Sequence, residues 1–196
     1  HREMASSLGL PVGFKNGSDG SVDAAIQAIL AARHAHTMLG IDELGRVAAV
    51  QSRGNPDGHL VLRGGKAGPN YQANAVAEAA QSMQAAGLPA NIMIDCSHGN
   101  AGKQHLRQIE VMQEVVAQRL VSGTDSAIIG VMLESFLAAG KQDIASPQLR
   151  YGCSVTDACL DWESTEQLLR QAHQQLLSQI QHAHACMPGK TKLEAA

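Results

Sequence analysis

The chain has 196 residues, 44% hydrophobic and 17% charged, so it is long and apolar enough to bury a core and unlike a disordered segment. Its formal charge of -3, from 15 basic and 18 acidic residues, leaves no basic excess for nucleic acid or an acidic membrane surface, whereas a few placed cations suffice for small anions. The four cysteines (Cys96, Cys153, Cys159, Cys186) lack zinc-ligand spacing and disulfide-scaffold density, and no apolar run approaches the ~20 residues of a membrane span; a reducing cytoplasm is expected.

The chain opens at His1, without a methionine, in a helix-like run to Leu8 that Gly9 and Pro11 stop. That beginning suggests a fragment or processed product whose fold is completed by preceding residues. A strand is expected over Pro11 to Phe14, then a helix with apolar positions Val22, Ile26, Ile29 and Leu30. Residues 38–52 read as two short apolar stretches around a turn ending at Gly45, an expected hairpin insertion. A second strand follows at His59 to Leu62, and a helix through Val76, Ala79 and Met83 ends at Gly87 and Pro89. The third strand is Asn91 to Cys96, and its helix runs through Leu106, Ile109, Met112, Val116 and Leu120. The fourth strand is Ala127 to Leu133. A last helix carries Leu169, Ala172, Leu176 and Ile180, with Ser164 and Gln167 expected as its capping box. The expected domain is 1–185, with a frayed tail over 186–196. The strands lack clean alternation, as buried parallel strands do.

In parallel α/β folds reactive groups gather at the C-terminal ends of strands. The first strand here delivers Lys15, Asn16 and Gly17, and the second Arg63, Gly64, Gly65 and Lys66. The third delivers Asp95 and His98, the fourth Glu134. Lys15 and Arg63 beside glycines suit a phosphate or a carboxylate, the glycines leaving a small-residue cradle. The alternative for Arg63 is a salt bridge on the barrel rim. His98, Glu134 and Asp157 are hard or borderline donors suited to a divalent first-row ion. Of the nine histidines, His34, His36, His173, His182 and His184 are expected to be ordinary surface or core residues.

The strings PVGFKNGSDG (11–20), VLRGGKAGPNY (61–71), MIDCSHGN (93–100), GVMLES (130–135) and YGCSVTDACLDWE (151–163) resemble the signatures of the type I 3-deoxy-D-arabino-heptulosonate 7-phosphate (DAHP) synthases, in order and from His1 to about Leu177. The resemblance implies an α/β fold of the (β/α)8 TIM-barrel family, of which this chain holds roughly the last four units plus the inserted β-hairpin. It implies a transferase at the first step of the shikimate pathway, joining phosphoenolpyruvate to D-erythrose 4-phosphate, with water added at C2 and phosphate released. Lys15 would serve as catalytic residue. Arg63 would hold the phosphate of phosphoenolpyruvate, Lys15 its carboxylate and enol oxygen, and Asp157 would also touch substrate. His98, Glu134 and Asp157 would be three of four ligands of a divalent ion (Mn, Fe, Co or Zn). The fourth, a cysteine of the first barrel strand, matches none of the cysteines here; a basic loop for erythrose 4-phosphate and an arginine ending the fourth barrel strand are also missing.

Departures inside the motifs are Cys96 for an aromatic, Cys153 for lysine, an extra residue near Gly68, and Gly99, Ala101 and Gly102 after the histidine. The hairpin around Gly40 is the expected effector site for an aromatic amino acid. The resemblance implies tyrosine first and tryptophan next, since phenylalanine-inhibited relatives carry serine where Gly40 aligns. A homo-oligomer is expected of the complete protein, and neither nucleic acid nor membrane is an expected partner. Two alternatives stand beside the synthase. One is a noncatalytic truncated fragment that pairs with another chain; the other is a metal-dependent hydrolase, which would not require Lys15 and Arg63 together.

Overall fold

A computed structural model describes residues 1–185; the tail expected over 186–196, including Cys186, lies outside the described residues. Helix α1 (Arg2–Ser7) leads to strand β1 (Val12–Lys15) and helix α2 (Asp23–Arg33). The hairpin β2 (Thr37–Ile41) and β3 (Val47–Gln51) comes next, followed by β4 (Gly58–Leu62), α3 (Ala73–Ala85), β5 (Ile92–Asp95), α4 (Arg107–Ser122) and β6 (Ile128–Met132). Two short strands, β7 (Ala138–Lys141) and β8 (Cys153–Ser154), precede α5 (Trp162–Ala185). All four expected strands and every expected helix are present. The strands β7 and β8 are not among the expected ones; β7 takes up the end of a four-residue apolar run, Phe136 to Ala139, and β8 is two residues long.

Strands β1, β4, β5 and β6 form one parallel sheet in that order, with Phe14 opposite Leu60, Val61 opposite Met93 and Ile94 opposite Val131. Parallel neighbours require crossovers, which α2 with the hairpin, α3 and α4 supply. Burial follows position in the sheet. Every residue of central β4 is buried, whereas β1, at the sheet edge, alternates intermediate and exposed. Continuous burial therefore holds for the central strand and fails at the edge, where one flank has no strand partner among the described residues.

The core lies between sheet and helices. Ile29 of α2, Met83 of α3, and Val111 and Val115 of α4 are fully buried against Leu60, Leu62, Ile92 and Ile94. Each such aliphatic side chain contributes about 1.5–3 kcal/mol of burial. On α4 the buried set Gln108, Val111, Met112, Val115 and Val116 recurs at helical spacing, and this places the N-terminus of the helix beside the ends of β5 and β6. Among the described residues no helix is long and apolar enough to cross a membrane.

The cap of α5 differs from the sequence expectation. The helix begins at Trp162, and Asp161 Oδ1 accepts a hydrogen bond from the Ser164 N–H at 2.7 Å, so Ser164 lies inside the first turn. That bond also holds the Asp161 carboxyl below the usual range. A carboxylate immediately before the helix satisfies the free N–H groups and complements the helix dipole, displacing the serine from the cap.

Candidate active site

The loops leaving the C-terminal ends of β1, β4 and β5 are locked together by three asparagines. Asn16, which is buried, accepts from the Arg63 N–H at 2.7 Å and donates to the Gly64 carbonyl at 3.0 Å. Asn70 Oδ1 accepts from the Gly64 N–H at 2.7 Å. The fully buried Asn100 donates to the Leu62 carbonyl at 3.1 Å and the Asp95 carbonyl at 2.8 Å, and accepts from the Asn70 N–H. Each buried amide thereby satisfies backbone groups of another loop, so one loop cannot shift without stranding polar atoms in its neighbours.

Gly64 and Gly65 have a packing purpose that the sequence did not disclose. A Cβ on Gly64, whose φ is +73°, would lie 2.5 Å from the Gly99 carbonyl carbon; one on Gly65 would lie 2.5 Å from the Gly20 nitrogen. The N–H of Gly64 goes to Asn70, that of Gly65 to the Gly68 carbonyl, and that of Lys66 to the Ser18 carbonyl. The expected open cradle is thus corrected. These glycines let loops touch, and their N–H groups are already used.

A cavity of about 550 Å³ opens over these loops, lined in part by Arg63, Lys66, His98, Lys103, Glu134 and Asp157. Lys15 Nζ lies 2.8 Å from Asp95 Oδ2, and His98 Nδ1 lies 2.9 Å from the same oxygen. The Lys15 contact is a hydrogen-bonded ion pair. The His98 contact is close but misaligned, leaving the buried Nδ1 without a hydrogen bond. The other ring nitrogen, Nε2, faces Glu134 Oε1 at 3.5 Å and Asp157 Oδ2 at 4.0 Å.

One donor atom each from His98, Glu134 and Asp157 lies within 4.8 Å of the others. Glu134 is held on two sides. Ser97 Oγ donates to its Oε2 at 2.6 Å, and the buried side chain of Gln108 grips its backbone N–H and carbonyl at 2.8 and 3.2 Å. Asp157, with a side chain 64% exposed, reaches in from the loop before α5. These features fit a divalent ion, with the Asp95 carboxylate close behind the histidine. No thiol joins the cluster among the described residues. Burial, reinforced by the Asp95 charge, pushes the Cys96 thiol up to about 12, so it stays protonated at neutral pH.

The five expected polar residues therefore converge on one end of the sheet: Lys15 and Arg63 from β1 and β4, and the His98, Glu134 and Asp157 cluster beyond them. Arg63 has no carboxylate within 4.0 Å among the described residues, so the rim salt bridge is absent. The sequence missed the part of Asp95 as a shared anchor, and it missed Lys103, His105 and Lys141 in the cavity wall. Lys103 was within reach of inspection, five residues past His98 in the same loop. Lys141 follows the short apolar run Phe136 to Ala139, a signal that could have found it.

Gly40 lies elsewhere, paired with Ala48 across the hairpin. Because the hairpin stands between α2 and β4, it feeds the N-terminal end of β4, away from the strand ends that carry the cavity. A Cβ on Gly40 would come 2.6 Å from Val50 Cγ2, so a larger residue needs Val50 to move.

The DAHP synthetase I family profile matches residues 1–170. The chain is 50% identical over 182 residues to the Tyr-sensitive phospho-2-dehydro-3-deoxyheptonate aldolase of Escherichia coli K12, covering 92% of this chain and 50% of that protein. It is 51% identical over 172 residues to the Phe-sensitive enzyme of the same strain, covering 87% of this chain and 48% of that one. The solved phospho-2-dehydro-3-deoxyheptonate aldolase of Francisella tularensis SCHU S4 superposes with a TM-score of 0.84 at 39% identity, covering 91% of this chain and 52% of that chain. The chain spans about half the length of these relatives.

Proposed function

Since this chain belongs to the DAHP synthetase I family, we propose that it supplies half of a (β/α)8 barrel, its last four units, and most of the ligands for condensing phosphoenolpyruvate with D-erythrose 4-phosphate. The observation that carries this is the convergence of Lys15, Arg63 and the His98, Glu134 and Asp157 cluster at one end of a parallel sheet. A metal-dependent hydrolase would need the cluster alone. An Arg63 guanidinium uncompensated among the described residues, in the same cavity, with Lys15 paired across β4 to Asp95 of β5, favours an enzyme that also binds an anionic substrate.

Arg63 holds the phosphate of phosphoenolpyruvate. Lys15, fixed by Asp95, sits at its carboxylate and enol oxygen and steadies the charge there as C3 attacks the aldehyde; it needs no covalent step. His98, Glu134 and Asp157 would hold a divalent ion (Mn, Fe, Co or Zn), which would supply Lewis-acid polarisation of the aldehyde oxygen. Ser97 and Gln108 fix Glu134 in place, and the Asp95 carboxylate lies against His98 Nδ1. Asp157, the most exposed of the three, adjoins the space for the aldose.

The outer flanks of β1 and β6 carry no strand partner among the described residues, and the chain matches half of its relatives' length. We therefore expect residues 1–196 alone to bind metal poorly and to make no product. Phosphate release should be measured with both substrates and a divalent metal, for the chain alone and for the chain mixed with the missing half of the barrel. Activity in the mixture, lost in Glu134→Gln, is the expected result; turnover by the chain alone would overturn the half-barrel account. A mixture that assembles yet stays inactive would favour the noncatalytic fragment.

An aromatic amino acid is the proposed effector, bound at the hairpin near Gly40. Tyr- and Phe-sensitive relatives match equally well, so identity does not choose between them. Val50 packs against Gly40, so the preference for tyrosine rests on the family resemblance alone, and stronger inhibition by phenylalanine would refute it. Exposed Leu39, Ile41 and Val47 on the hairpin support a homo-oligomer of the complete protein. Light scattering of Leu39→Lys checks this: an unchanged mass would exclude the hairpin from the interface.

A further inference from the structure

His59 is a buried titratable residue that the candidate site leaves unused. It stands in β4 with 8% of its surface exposed, and its ring makes no hydrogen bond or ion pair among the described residues. Leaving a buried imidazole unpaired is costly, and native folds satisfy nearly all such groups. The cavity does not do so. His59 is not in its wall, and Arg63 follows four positions later, roughly 13 Å along the strand.

Parity fixes which way the ring points. Side chains alternate along a strand, and Leu60 and Leu62 lie in the core under the helices, so His59 and Val61 face the other side of the sheet with Gly13 and Lys15 of β1. A Cβ on Gly13 would come 2.8 Å from Val61 Cγ2 and 2.9 Å from His59 Nε2, so the ring leans over the edge strand across the space that glycine leaves. Among the described residues that are not exposed, only His98 Nδ1 is both fully enclosed and unpartnered, and the His59 nitrogens therefore keep a narrow opening. The helices cover the opposite face, and the outer flanks of β1 and β6 have no strand partner among the described residues.

We propose that His59 is a polar contact between the two halves of the barrel, its ring hydrogen-bonded across the interior by an uncharged side chain, a hydroxyl or an amide, of the missing half. The proposal rests on the half-barrel reading above. The surroundings select the partner. On this face His59 stands among Gly13, Val61 and Met93, while the charged groups Lys15 and Asp95 lie one layer higher and pair with each other at 2.8 Å. A carboxylate brought to the ring would lose its hydration with no cation among these neighbours, whereas a hydroxyl or an amide needs only the donor and acceptor that an imidazole offers. One such pair inside an apolar interface also fixes register, because a shifted half would strand both groups.

The test uses the complete protein. Urea denaturation compares wild type, His59→Leu and His59→Gln. Leucine fills the space but strands the partner, so the ratio of folded to unfolded protein should fall roughly tenfold, and glutamine, which keeps a donor and an acceptor, should lose less. Phosphoenolpyruvate affinity should stay within about twofold in both variants. A His59→Leu protein as stable as wild type would mean that the ring merely fills space, and would overturn the proposal. Alanine at each inward polar residue of the missing half then locates the partner: at one hydroxyl or amide the loss should be shared with His59→Leu rather than added to it. Sharing at a carboxylate, or at no position, also overturns the proposal. Should His59→Leu fail to fold, wild type still answers, because the His59 ring N–H, assigned by NMR through its own backbone, should be protected from exchange with water. Free exchange would refute the contact. Turnover by residues 1–196 alone would end the half-barrel reading whichever way these measurements fall.

Discussion

The two ends of the sheet are built on opposite terms. At the C-terminal ends of β1, β4 and β5, backbone touches backbone through Gly64, Gly65 and Gly99, and Asn16, Asn70 and Asn100 satisfy buried groups across loops distant in sequence. At the other end the β2–β3 hairpin is held mainly by itself. Its turn is organised by Asp42, whose carboxylate accepts from the N–H groups of Leu44 and Arg46 at 2.9 Å and pairs with the Arg46 guanidinium, while Leu39 and Val47 stand 84% and 79% exposed. The difference teaches where precision is needed. The strand ends that carry the charged cluster are fixed by long-range constraints, whereas the hairpin rests on local ones.

The contrast can be broken most severely at Gly64. Gly64→Ala forces a Cβ against the Gly99 backbone and puts alanine at φ +73°, costing about 2–5 kcal/mol from overpacking and left-handed strain together. Urea denaturation measures it, and a loss below about 1 kcal/mol would mean that the loops are not interlocked.

Arg63→Ala separates function from stability at the same end. Phosphoenolpyruvate affinity of the complete barrel should fall by roughly ten- to a hundredfold, about 1.5–3 kcal/mol, with Tm unchanged. Normal binding by calorimetry would remove Arg63 from the anion site.

Gly45→Ala is the matched change in the hairpin. The glycine has φ +77°, but its added Cβ meets nothing within 4 Å, so only the left-handed cost of about 1–2 kcal/mol applies. A loss as large as that of Gly64→Ala would show that the hairpin is as constrained as the catalytic end.

The smallest effect is acid loosening of the hairpin turn. Hydrogen bonds from Arg46, first its backbone N–H and then its side chain, hold the Asp42 carboxyl below its ordinary 3.8. A depressed folded value gives stability that is present above 3.8 and is lost as pH falls through the folded value. The Leu44 and Arg46 amide resonances should therefore stay native-like at pH 4 and shift only below 3.8. A shift centred above 3.8 would deny the carboxylate this role.

The sequence by itself determined the alternation of strand and helix, the hairpin and the polar residues at four strand ends. Each is a local matter: the apolar spacing of α4, the compact run of β5, or a charge following a strand, as Arg63 follows Leu62. Family motifs then supplied roles that spacing left open for Lys15 and His98. Only the tertiary structure decided the rest, because it depends on contacts between residues far apart in the chain. Lys15 and Asp95 meet across 80 residues, Gly64 is small because Gly99 presses on it, and Lys141 enters the cavity from the short strand β7, a placement that no local pattern carries.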